Sequence, residues 1–171
     1  MVLFWYFVFY SFLGFLLEVV FARVANHPKK DRKCFLLFPL CPVYGVGALV
    51  IHQLANLGGG VLWVMAAGFL GAGAAELGMG LFYRHMLGVD FWDYSNQPLN
   101  LCGLVCLRFC LCWSLLALVT VYGLDRPILS LARMVPAGWQ IPAAIVLGAD
   151  GAVSAFALHR TGTTDVLRWY Q

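Results

Sequence analysis

The chain has 171 residues, 62% hydrophobic and 11% charged, with a mean hydropathy of +0.82 and a formal net charge of +3. That is too little charge to cover a soluble domain of this size, so lipid is the expected solvent. The positive balance is too weak and scattered for a nucleic-acid binder, and no Gly-rich loop ending in Lys-Ser/Thr is present, which excludes a P-loop ATPase.

Five apolar stretches are long enough for a bilayer crossing of about 20 residues. The first, residues 2–22, lacks a basic leader and carries Glu18 ahead of any small-residue cleavage site, so it is expected to remain as a span. The second, residues 35–55, begins over Pro39 and Pro42, which predict a kinked or re-entrant start. The third, residues 61–83, contains Glu76. The polar stretch WDYSNQPLNLCG (92–103) leads into the fourth, residues 99–122, which contains Arg108. The fifth, residues 139–158, holds Asp150. No soluble domain or repeat is left over. The expected fold is one all-α domain: a polytopic transmembrane helix bundle of about five spans, in which 15% aromatic content and 18 glycines are at home.

Basic residues set the orientation. The first connection holds Arg23, Lys29, Lys30, Arg32 and Lys33, the third Arg84, and the tail Arg160 and Arg168; the fourth has only Arg126 and Arg133. The N-terminus is therefore expected outside and the C-terminus inside, in a multi-pass protein of the plasma membrane.

With that orientation Glu18, Glu76 and Asp150 all fall toward the cytoplasmic side of their spans. Each shares a helical face with small or polar residues: Ser11 and Gly14 with Glu18, Ala72 and Gly80 with Glu76, Ser154 with Asp150. Such faces pack on protein, because lipid needs no small residues and a charge at the bilayer centre costs about 3 kcal/mol. The expectation is a cytoplasm-facing acidic cavity, against the simpler reading of acids that pair with Arg23 and Arg84 or brace helices.

Other constellations carry less. Cys102, Cys106 and Cys110 recur at helical spacing, with Cys112 nearby, but without a CxxC pair or a histidine partner they read as packing residues. Cys34 and Cys41 fall on the reducing side, so no disulfide is expected. His27, His52, His85 and His159 have no ligand-like partner in sequence, and no catalytic triad or nucleophile elbow is present. No cofactor or metal is expected.

Together YSFLGFLLE (10–18), CFLLFPLCPVYGVGAL (34–49), the acid of AELGMG (75–80), WDYSNQPLNLCG and Trp113 resemble the small integral membrane family described as ABC-transporter type IV, or CmpB-like permeases. Glu18, Pro39, Cys41, Pro42, Tyr44, Glu76, Trp92, Asp93, Tyr94, Ser95, Pro98, Asn100 and Gly103 match that family's pattern. Phe15, Arg32-Lys33-Cys34, Phe38 and Arg84 depart from it. The resemblance implies a membrane fold and a permease-type role without naming a substrate.

WDYSNQPLNLCG reads as half of a polar site. Trp92 and Tyr94 suit the headgroup boundary, Asp93 is expected to accept from Arg32 or Lys33, and Pro98 and Asn100 set the entry to the fourth span. CPVYG, with Pro39, Cys41, Pro42, Tyr44 and Gly45, mirrors it by freeing backbone carbonyls. The favoured function is a transporter or permease-like subunit binding a cation or cationic solute through Glu18, Glu76, Asp150, Tyr44, Asn100 and Arg108. Five spans suggest a homo-oligomer or a partner membrane or ATPase subunit. The alternatives are an enzyme acting on a lipid headgroup, with Arg108 on its phosphate, and a non-catalytic scaffold.

Overall fold

The computed structural model describes residues 1–25 and 33–168. Helix α1 (Val2–Val24) has 23 residues and rises about 35 Å, enough for a hydrocarbon core of about 30 Å. Helix α2 (Pro42–Ala55) has only 14 residues, about 21 Å, so it cannot cross alone. Helices α3 (Val61–Leu87) and α4 (Leu107–Met134) are long and apolar enough to cross. So is the last stretch, where a 3₁₀ turn at Ala137–Trp139 leads into α5 (Gln140–Thr161).

Residues 33–41 lead into α2 as irregular backbone. Pro42 sits at the first helical position, where its absent N–H is no loss. Upstream, the backbone groups find partners in protein, as irregular chain at membrane depth requires. The Cys41 amide donates to the Ser11 carbonyl of α1 at 2.9 Å, and the Cys34 amide to the Leu40 carbonyl at 2.9 Å. From α5, the Asp150 carboxylate accepts the amides of Leu37 and Phe38 at 3.0–3.1 Å, and the Ser154 hydroxyl accepts that of Leu36 at 2.8 Å. The backbone ahead of α2 is thus non-helical up to Cys41, where Pro39 and Pro42 predict a break.

The fourth crossing begins at Leu107 rather than near Leu99. Ahead of it, strand β1 (Asn100–Leu101) pairs antiparallel with β2 (Val105–Cys106) in a minimal hairpin. Cys102 and Gly103 in its turn both have positive φ, 56° and 69°, a geometry that stops a helix from starting there. At its other end α4 continues through wide π-type turns at Val119–Leu124 and on to Met134. Asp125, Arg126 and Arg133 are therefore helical, not part of a connection. A similar π-type stretch, Ala67–Ala72, precedes Glu76 in α3.

Helices α1 to α4 close into a ring, and α5 lies outside it against the end of α3 and the 33–41 segment. The α1–α2 crossing is tight because Gly14 and Gly45 face it. A Cβ on Gly14 would meet Tyr44 at 2.3 Å, and one on Gly45 the Phe7 carbonyl at 2.7 Å. The surface is apolar, with Leu62, Leu70, Ile141 and Phe156 exposed, while Ser11, Glu76, Thr120, Asp125, Asp150 and Ser154 are buried. That inversion fits lipid outside and polar contacts within.

Candidate functional site

A cavity of about 660 Å³ opens among α1, α2, α3, α4 and the segment after α3. Glu18 of α1 and Glu76 of α3 both line it, with Tyr44, Tyr94, Trp113 and Arg108. The Tyr44 hydroxyl donates to Glu18 Oε1 at 2.7 Å. Glu76, 6% exposed, accepts from the Tyr94 hydroxyl at Oε1 and from the Trp113 indole N–H at Oε2, each at 3.1 Å. Each acid thus sits against an aromatic donor held by a different element. The rings themselves pack together: Tyr44 on Trp113 at 5.2 Å between centroids, and Tyr94 stacked on Phe109 at 4.5 Å. The arrangement offers negative charge and π faces at once, the two features that attract a cation in a desolvated site.

The WDYS stretch positions Tyr94 and gives Trp92 and Asp93 to the cavity wall. The Tyr94 amide donates to the Gly103 carbonyl at 2.7 Å, and the Trp92 indole to the Leu104 carbonyl at 2.8 Å. Asn100 braces the turn, its amide group donating to the Gln97 carbonyl at 2.8 Å and its oxygen accepting the Gly103 amide at 3.1 Å. Asp93 accepts from the Ser95 hydroxyl at 2.5 Å and the Ser95 amide at 2.9 Å. Those donors, the hydroxyl above all, hold its carboxyl below the usual carboxylate range. Lys33 is buried and donates to the Leu36 carbonyl at 2.6 Å; Arg32, the other partner expected for Asp93, lies outside the described residues. A Cβ on Gly103 would meet Ser95 Oγ at 2.6 Å and Asp93 Oδ1 at 2.9 Å, at a positive φ. Gly103→Ala should therefore destabilise the protein by about 1–3 kcal/mol and loosen Tyr94 from Glu76, read as a lower thermal midpoint and easier proteolysis within 92–103.

The expected site residues thus divide. Glu18, Glu76, Tyr44 and Arg108 line one cavity, and so do Cys41, Trp92, Asp93 and Tyr94. Asp150 does not line it; its carboxylate is occupied by the 33–41 amides. Asn100, Ser95 and Gly103 shape the loop, Pro98 lies within that exposed loop, and Pro39, Pro42 and Gly45 shape the broken crossing. Cys34 and Cys41 are both buried on the cavity wall with thiols 3.8 Å apart. Among the described residues no three His, Cys, Asp or Glu side chains gather as metal ligands would.

One polar group escaped the sequence reading. Asp125, buried at the opposite end of the ring, accepts from Tyr6 at 2.6 Å and Tyr10 at 3.2 Å and lies 2.8 Å from His52 Nδ1. The available signal was Tyr6 and Tyr10 one turn apart on α1. Asp125 itself fell past the expected end of the fourth span, where an acid needs no explanation.

Four apolar helices of spanning length make the chain a multi-pass membrane protein. No curated protein and no solved structure matches it. A family model does, over residues 5–154, which include Glu18, Glu76, the 33–41 segment, the WDYS loop and the Asp150–Ser154 pair. The chain belongs to the family described as "Putative ABC-transporter type IV".

Proposed function

We propose that the protein is a small permease-like subunit whose cavity takes an organic cation between Glu18 and Glu76. The observation that carries this reading is that two acids from separate helices line one aromatic-walled cavity. Glu18 and Glu76 each meet aromatic donors, and Asp93 on the same wall is engaged by Ser95, a setting that suits an ammonium group better than a metal ion, which wants six or more hard ligands for Ca²⁺ or a strict octahedron for Mg²⁺. With the N-terminus outside, as the basic residues indicate, the cavity opens to the cytoplasm at the plasma membrane. A five-crossing chain with no nucleotide-binding part would work as a homo-oligomer or beside an ATPase subunit.

Arg108 on the same wall supports a second reading, a zwitterionic lipid headgroup with its ammonium at the acids and its phosphate at Arg108. The deciding experiment is thermal unfolding of purified protein with tetraethylammonium, spermidine or phosphocholine, comparing wild type with Glu76→Gln. A bound cation at a hundred times its dissociation constant stabilises by about 2.7 kcal/mol. That gain should appear in wild type and be lost in Glu76→Gln. No gain with any ammonium probe would sink the cavity reading, and a response to phosphocholine alone, lost in Arg108→Gln, would favour the headgroup.

A further inference from the structure

A second cavity, of about 230 Å³, adjoins the first on the side toward the Asp125 end of the ring. The two share Leu17, Tyr44, Trp113 and Leu116 as a common wall. At its far end the second cavity is lined by Tyr10 and Thr120, and Tyr10 hydrogen-bonds Asp125. From there the chain of contacts reaches the surface. Asp125 Oδ2 meets His52 Nδ1 at 2.8 Å, and His52 Nε2 meets the amide of exposed Asn56 at 3.2 Å. The His52 side chain is 16% exposed and that of Asp125 11%. Acidic groups therefore stand at the two ends of a line of two adjoining cavities, Asp125 behind Tyr10 rather than on a cavity wall.

We propose that His52 and Asp125 form a proton-binding site at that end, and that a proton and the transported cation occupy the line alternately. The inference rests on the cation reading of the inner cavity and names the counter-ion for it. Imidazole is the side chain that changes charge between about pH 5 and 8. Among the described residues the titratable groups facing Asp125 are Tyr6 and Tyr10 from α1 and His52 from α2; Arg126, its neighbour on α4, is exposed. When His52 is neutral the cluster carries the Asp125 charge, which draws a cation outward from Glu18 and Glu76. A proton arriving from the Asn56 side settles on the imidazole, neutralises the cluster and removes that attraction. Its release inward, past the Tyr10 hydroxyl into the second cavity, restores the charge, so that one proton moves inward for each cation that moves outward.

Two readouts test this. Acid-pulse titration of unbuffered protein counts the protons taken up, and His52→Gln should take up about one fewer than wild type. Gln keeps a donor toward Asp125, so the fold is expected to survive; Asp125→Asn, which keeps an acceptor for the tyrosines, serves as the second variant. In vesicles of neutral lipid loaded with tetraethylammonium and a pH dye, outward flow of the cation should acidify the lumen. In either variant this acidification should be roughly tenfold slower. Equal proton uptake by wild type and His52→Gln would overturn the proposal, and so would undiminished acidification in both variants. A wild type that takes up the proton yet gains no stability from any ammonium ion would keep the proton site and sink the inner cavity instead.

Discussion

Asp150→Ala is expected to destabilise the protein by about 3–5 kcal/mol, among the largest losses from any single side chain. The carboxylate is 4% exposed and accepts two successive backbone amides, Leu37 and Phe38, while its neighbour Ser154 takes Leu36. Each buried donor left without a partner costs about 1–3 kcal/mol, and lipid offers no water to replace it. The methyl of alanine supplies nothing in exchange. Asp150→Asn keeps one acceptor oxygen but turns an NH₂ group toward an amide, so its loss should be smaller, about 1–3 kcal/mol. Chemical unfolding in detergent orders the series as wild type, Asn, Ala. If Ala matches wild type, the 33–41 segment is held by other contacts and α5 is dispensable to it. If Ala and Asn are equally damaging, charge rather than acceptor count holds the segment.

That role explains why the sequence groups Asp150 with Glu18 and Glu76 although the fold separates them. Depth and helical face are legible in a sequence, and all three acids do turn inward to protein. What a sequence cannot show is which inward face meets which. Pro39 and Pro42 announce a broken crossing, but the amides that the break exposes are assigned only once α5 is seen beside them. The start of the fourth crossing was misjudged for a similar reason. Leu99, Leu101, Leu104 and Leu107 continue the apolar run, yet Leu99, Cys102 and Gly103 take positive φ, which hydropathy does not register. Asp125 was missed because π-type turns and a further ten residues extend α4 beyond the apolar stretch. Residues of WDYS and CPVYG do line one cavity, and aromatic and acidic residues clustered beside glycine and proline are what mark both stretches in the sequence.

Trp113→Ala should have the second large effect and should separate stability from function. The indole is 6% exposed, lies 5.2 Å from the Tyr44 ring, and donates to Glu76 at 3.1 Å. It also fills the space that a side chain at Gly47 would need, with a Cβ there only 2.8 Å from the ring. Deleting a buried tryptophan costs about 3–5 kcal/mol through lost contacts and the hole left behind. Here the hole would join two cavities, because Trp113 belongs to the wall between them. Trp113→Phe keeps a six-membered ring but loses the N–H and the pyrrole half of the indole, so it should cost about 1–3 kcal/mol and weaken the hold on Glu76. A cysteine placed at Thr120, on the far side of that wall, reports the difference through its rate of modification by a small cationic thiol reagent. With Trp113 or Phe present the thiol should react slowly; with Ala it should react much faster, and added tetraethylammonium should protect it. Fast labelling in the Phe variant too would mean that the seal needs the whole indole, its N–H on Glu76 included, and not merely a six-membered ring. Equal rates in all three would mean that the two cavities are not divided by the Tyr44–Trp113 pair, and the line from Glu76 to Asp125 would have to run elsewhere.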